Sequence, residues 1–158
     1  MREFFSGSIV IQSYVIGYND AMPRATLLSF LAILVFLIVA LHAAAIFLHL
    51  YWTLWWYDII VHFLGGLFTG LLVLWLRFFS GYFGAEAFPA GQSVLLFALA
   101  ATLVVGIGWE IFERIFGNTW SVEGYYMDTT LDIIFDFIGG ACAFVFFKRK
   151  YMAQKRNA

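Results

Sequence analysis

Charge is scarce in this chain: only 12% of its 158 residues are Asp, Glu, Lys or Arg, and nine basic against ten acidic side chains leave a net charge of -1. A basic nucleic-acid surface is therefore excluded, and so is a disordered chain held open by self-repulsion. There is a single cysteine, Cys142, which excludes a disulfide scaffold. The sequence also lacks a Gly-rich phosphate loop, a recognisable Ser or Cys nucleophile arrangement, an internal repeat and a low-complexity tract. What it has in excess is apolar surface: 63% of the residues are hydrophobic and the mean hydropathy is +0.88. Those values lie beyond the range of soluble domains and place the chain in a bilayer.

A helix needs about 20 apolar residues to cross the hydrocarbon core. Four stretches meet that length: Thr26 to Leu50, Asp58 to Leu76 closed by Arg77, Ser93 to Phe116, and Asp128 to Phe147 stopped by Lys148-Arg149-Lys150. Aromatic residues at Tyr51-Trp52 and Trp55-Trp56-Tyr57, the Gly- and Pro-containing stretch 81–91, and the stretch 117–126 separate them. The expected fold class is all-α, a polytopic transmembrane helical bundle. Residues 1–24 are expected as an interfacial or half-spanning helix, with a fifth span as the alternative, because the apolar run from Phe4 to Tyr18 is short and broken by polar residues. Arg2-Glu3 is a poor signal-peptide start. The bundle is expected over 25–147, followed by a basic cytoplasmic tail at 148–158.

Four spans put both termini on one side. Arg2, Arg24, Arg77, Lys148, Arg149, Lys150, Lys155 and Arg156 then share that side, with Arg114 alone opposite. The positive-inside rule makes the basic side cytoplasmic and the C-terminus cytoplasmic.

The few charged residues inside the spans are ordered. Asp58 and His62 are four apart, Glu110 and Glu113 three apart, and Asp128, Asp132 and Asp136 follow at four-residue steps, so each set shares a helix face. His42 and His49, seven apart, are expected on one face of span one. At about 1.5 Å per residue Asp136 lies ~12 Å below Asp128, and Glu110 ~10 Å below residue 117, so the sets meet at one level in the outer half. For Asp58, Glu113 and Asp128, near helix ends, capping or solvation is an alternative to a site. His42 serves equally as a packing residue or a ligand. Glu110, Asp132 and Asp136 lie deeper, where ionisable groups are costly and face a bundle interior.

Six carboxylates with Arg114 as the nearby permanent cation must be protonated, solvated or bound to a cation. Carboxylates with imidazole on facing helices suit a divalent metal: an oxygen-rich set favours Mg, Ca or Mn, and histidine admits Zn or Fe. The expected metal ligands are His62, Glu110, Asp128, Asp132 and Asp136, with Asp58 or Glu113, nearer the mouth, as a general base toward a metal-bound water. Gly65-Gly66-x3-Gly70 and Gly139-Gly140-Ala141 read as close-packing surfaces. Gly124-x3-Asp128-x3-Asp132 echoes half of the CDP-alcohol phosphotransferase signature, whose other half is missing, and the Glu-x-x-His pairs of di-iron bundles are missing too.

Together WWYDIIVHFLGG, GWEIFER and MDTTLDIIFDFIGGA resemble the YjdF-like family of small bacterial inner-membrane proteins, within the broader VanZ-like group. The resemblance covers residues 55–143 and rests on Asp58, His62, Gly65, Gly66, Trp109, Glu110, Glu113, Asp128, Thr129, Asp132 and Asp136. It implies a small multi-pass protein of the bacterial inner membrane and no particular activity. The functional expectation is a divalent-cation site, metal unspecified, serving transport or chemistry on a lipid-linked substrate. A non-catalytic scaffold or accessory subunit and a proton-coupled carrier are the alternatives. The bilayer and a lipid-linked substrate or ion are the expected partners, and nucleic acid is not.

Overall fold

The computed structural model describes residues 3–83, 91–116 and 124–152, with side chains from Arg24 onward. Helix α1 spans Glu3–Phe47, a short helical turn α2 spans Leu50–Thr53, and α3, α4 and α5 span Tyr57–Phe78, Gly91–Phe116 and Tyr125–Phe147. There is no strand among the described residues. Four segments are long and apolar enough to cross a membrane: Arg24–Phe47, Tyr57–Phe78, Gly91–Phe116 and Tyr125–Met152. The chain is thus the expected all-α polytopic bundle. The backbone of residues 3–23 is helical and continuous with the first span, rather than a separate element. Arg2, the stretches 84–90 and 117–123, and the tail 153–158 with Lys155 and Arg156 lie outside the described residues.

Two boundaries differ from the sequence reading. Span one ends at Phe47 and not at Leu50, because His49 takes a left-handed conformation (φ 59°) that an α-helix cannot continue through. His49 is therefore turned out of α1, exposed, with its ring against Trp52 at 5.3 Å, and shares no helix face with His42. At the other end α5 passes directly into a π-helical turn, Lys148–Met152. The wider turn carries the basic triplet outward while Tyr151 is buried against Phe79 and Phe147, so the first residues of the basic tail belong to the bundle.

α3 and α5 run parallel in close contact, and small residues make that possible. A Cβ on Gly66 would fall on the backbone carbonyl of Asp136, and one on Gly139 on the carbonyl of Phe63. One turn further, a Cβ on Gly70 would stand 2.7 Å from that of Ala143, and one on Gly140 2.7 Å from Thr102 Oγ1 of the antiparallel α4. In a membrane the apolar effect does not drive helices together, so this backbone approach, with its dispersion contacts, holds the three-helix junction.

The interior is divided along its length. Toward Arg77 it is apolar, with Leu27, Leu31, Leu71, Leu74, Val94, Ala98 and Phe147 buried together. Toward Tyr57 the buried groups include His62, Glu110, Asp132 and Asp136, beside a small cluster of Ala45, Tyr51 and Tyr57. Between the helix ends the outer surface is largely apolar, as with Phe36 at 75% and Val104 at 71% exposure, which is the surface a lipid environment requires.

Candidate metal site at the acidic end of the bundle

The site begins at the first turn of α3. Asp58 stands where a carboxylate favours the helix dipole, and His62 lies one turn below on the same face. Because the glycines let α5 run alongside at backbone contact, Asp132 and Asp136 arrive on either side of the imidazole. His62 Nε2 is 3.7 Å from Asp58 Oδ1 and 3.8 Å from Asp132 Oδ1, while Nδ1 is 3.5 Å from Asp136 Oδ2. Ligand atoms of Asp58, His62 and Asp132 all lie within 4.8 Å of one another, the spacing of a group that can hold one metal ion. Bonds of ~2.1 Å to one ion put neighbouring ligands roughly 3–3.5 Å apart, so the His62 nitrogen, at 3.7 and 3.8 Å from the two carboxylates, stands a short approach from such spacing.

α4 supplies the third wall. Thr129 Oγ1 donates to Glu110 Oε2 at 2.7 Å, linking α5 to α4 at this level. Below it Gly106 leaves room for the Asp136 carboxylate, since a Cβ there would fall on Oδ2. Glu110 Oε1 and Asp132 Oδ2 are buried and lack a hydrogen-bond partner among the described residues. Leaving such oxygens unpaired in an apolar interior costs several kcal/mol per ionised group, on the order that a bound cation or a proton offsets.

Above the cluster a pocket of about 70 Å³ is lined by His42, Ile46, Tyr51, Asp58, Trp109, Phe112, Glu113 and Asp128. A water needs ~10–15 Å³ of such space, so the pocket admits several waters or a small polar group and excludes a whole lipid. Its wall is fixed by aromatic and polar contacts: His42 Nδ1 and the Tyr51 hydroxyl are 2.7 Å apart, and the Tyr57 hydroxyl donates to the Leu41 carbonyl at 3.0 Å. Burial, with Asp58 and Glu113 nearby, holds the Tyr51 phenol protonated far above the ordinary tyrosine range.

The expected site residues thus fall into tiers. Asp58, His62 and Asp132 form the compact group; Asp136 touches the opposite edge of the imidazole; Glu110 is paired with Thr129; Glu113 and Asp128 line the pocket with Asp58. Arg114 has its guanidinium 4.1 Å from the centroid of the Tyr125 ring. His42 is a pocket-wall residue hydrogen-bonded to Tyr51. Tyr51 reads as interfacial material in the sequence but lines the pocket with Trp109, and no sequence signal marks Tyr51, since a helix break separates it from His42.

A family model described as predicted membrane proteins, DUF2238, matches residues 5–152. The chain belongs to this family. The YjdF-like resemblance points to the same family, and the match does not bear on the VanZ-like grouping. No curated protein and no solved structure matches the chain.

Proposed function

We propose that this DUF2238 protein holds a divalent cation at Asp58, His62 and Asp132, and that the ion serves chemistry on a polar group entering from the pocket above, such as the head of a lipid-linked substrate. The observation that carries this reading is the gathering of three ligands, two carboxylates and an imidazole, from two helices within 4.8 Å, beside a buried Asp132 oxygen with no hydrogen-bond partner among the described residues. Transport through the bundle is less well supported, because below Thr102 and Gly140 the interior is closed by Leu71, Leu74, Val94 and Phe147. A site open at one end and plugged at the other fits binding and reaction better than passage.

In this reading Asp58, His62 and Asp132 would hold the ion, which would supply Lewis acidity, and Glu113 is left as the pocket carboxylate placed to accept a proton. Asp128 and Glu110 provide further negative charge around the cation. In this reading the acidic end faces the outside of a bacterial inner membrane, which the uneven division of the basic residues supports. Elemental analysis of protein purified without chelator tests the site: about one divalent ion per chain is expected, and Asp132→Asn is expected to lose it. A wild-type protein free of bound metal, and unable to take it up, overturns the proposal.

A further inference from the structure

The two nitrogens of His62 face different partners, and that division assigns different work to carboxylates that look alike in the sequence. Nε2 faces Asp58 and Asp132 at 3.7 and 3.8 Å, whereas Nδ1 faces Asp136 Oδ2 at 3.5 Å. The lone-pair directions of an imidazole diverge, so an ion bonded to Nε2 lies across the ring from Asp136. Asp136 is also enclosed: Gly66 packs on its backbone, a Cβ on Gly65 would stand 3.8 Å from Oδ1, and a Cβ on Gly106 would fall on Oδ2. Two helix backbones therefore fix where this carboxylate sits. A carboxylate that accepts the Nδ1–H of a ligating histidine fixes the tautomer and ring orientation and makes Nε2 a better donor.

Resting on the cation-site reading above, we propose that Asp136 is a positioning residue rather than a ligand, and that the resulting set of one imidazole nitrogen and two carboxylates takes a first-row transition divalent cation in preference to Mg²⁺ or Ca²⁺. The selectivity follows from the nitrogen. Mg²⁺ and Ca²⁺ are hard ions that take oxygen shells, and imidazole suits Zn, Cu, Fe and Ni.

The test uses the full chain, free of any histidine tag, in nanodiscs, with Co²⁺ as probe and its visible ligand-field band as readout. Wild-type protein is expected to bind Co²⁺, to release it to Zn²⁺, and to keep it against a hundredfold excess of Mg²⁺ or Ca²⁺. Asp136→Asn is expected to weaken Co²⁺ binding ~10–100-fold while leaving the shape of the band unchanged, because the ligands are the same. Asp132→Asn is expected to change or abolish the band. Gly106→Ala, which displaces the Asp136 carboxylate without altering any donor, gives a second route to weaker binding with an unchanged band. Unaltered affinity in both Asp136→Asn and Gly106→Ala, or a changed band in Asp136→Asn, overturns the positioning role. Displacement of Co²⁺ by equimolar Mg²⁺ or Ca²⁺ overturns the selectivity. A wild-type chain that binds none of these ions contradicts the cation-site reading itself, an outcome distinct from the other two.

Discussion

Asp132 and His62 face each other across the α3–α5 seam at 3.8 Å, and the second oxygen of Asp132 is buried without a hydrogen-bond partner among the described residues. Burying such a carboxylate is costly, and a bound cation or a proton offsets that cost.

The first prediction follows from that cost. In chelator-treated protein, Asp132→Asn is expected to leave the melting temperature unchanged or raised, since a neutral amide is cheaper to bury. Added cation is expected to stabilise the wild type by mass action, by ~2.7 kcal/mol at a hundred times Kd, and to leave Asp132→Asn unmoved. Thermal unfolding in nanodiscs with and without cation reads both. A scaffold without a metal gives no cation response in either protein.

A second prediction concerns the glycines, which the structure sorts by what a methyl group would meet. Gly66→Ala and Gly139→Ala force a Cβ onto backbone atoms of the neighbouring helix and are expected to loosen the α3–α5 pair by ~2 kcal/mol or more. Gly65→Ala reaches only ordinary contact, 3.8 Å from Asp136 Oδ1, and is expected to be mild. Gly108→Ala meets nothing within 4 Å and is expected to stabilise α4 by up to roughly 1 kcal/mol through helix propensity. Unfolding measurements on the four variants check the order. Equal effects at Gly66 and Gly108 would contradict the packing described.

Much of this was legible in the chain, and the reasons are physical. Hydropathy marks helices that must satisfy their own backbone in lipid, so the four spans are plain. The i, i+4 spacings of Asp58 with His62 and of Asp132 with Asp136 place each pair on one helix face, and Gly66 and Gly139 announce close packing. Periodicity cannot say which edge of an imidazole a carboxylate from another helix will meet, so Asp132 and Asp136 look equivalent in sequence while the structure sets them on Nε2 and Nδ1. Nor does hydropathy register the left-handed His49, which ends α1 at Phe47 and brings Tyr51 back over His42.

That Tyr51 contact gives a third prediction, in pH. The folded-state pKa of Tyr51 is raised by burial and by Asp58, so the native state keeps a proton that the unfolded chain releases near 10. The associated stability is fully present below pH ~10 and is lost as pH rises above it toward the folded value. Wild-type stability is expected to fall more steeply than that of Tyr51→Phe between about pH 10 and 11.5. Parallel curves for the two proteins would contradict this account of Tyr51.

Orientation is a fourth prediction. In a Cys142→Ser background, a cysteine replacing Trp55, exposed at the acidic end, is expected to react with an impermeant thiol reagent in intact cells. One replacing Tyr82, exposed at the basic end, is expected to react only after permeabilisation. The reverse pattern moves the acidic pocket to the cytoplasmic face.

The most direct test of the cation site is an anomalous difference map from crystals of the full chain grown with Mn²⁺ or Co²⁺. One strong peak is expected within bonding distance, about 2.0–2.3 Å, of His62 Nε2 and of carboxylate oxygens from Asp58 and Asp132. A map with no peak among these three residues, in crystals where the ion is present in solution, would contradict the site.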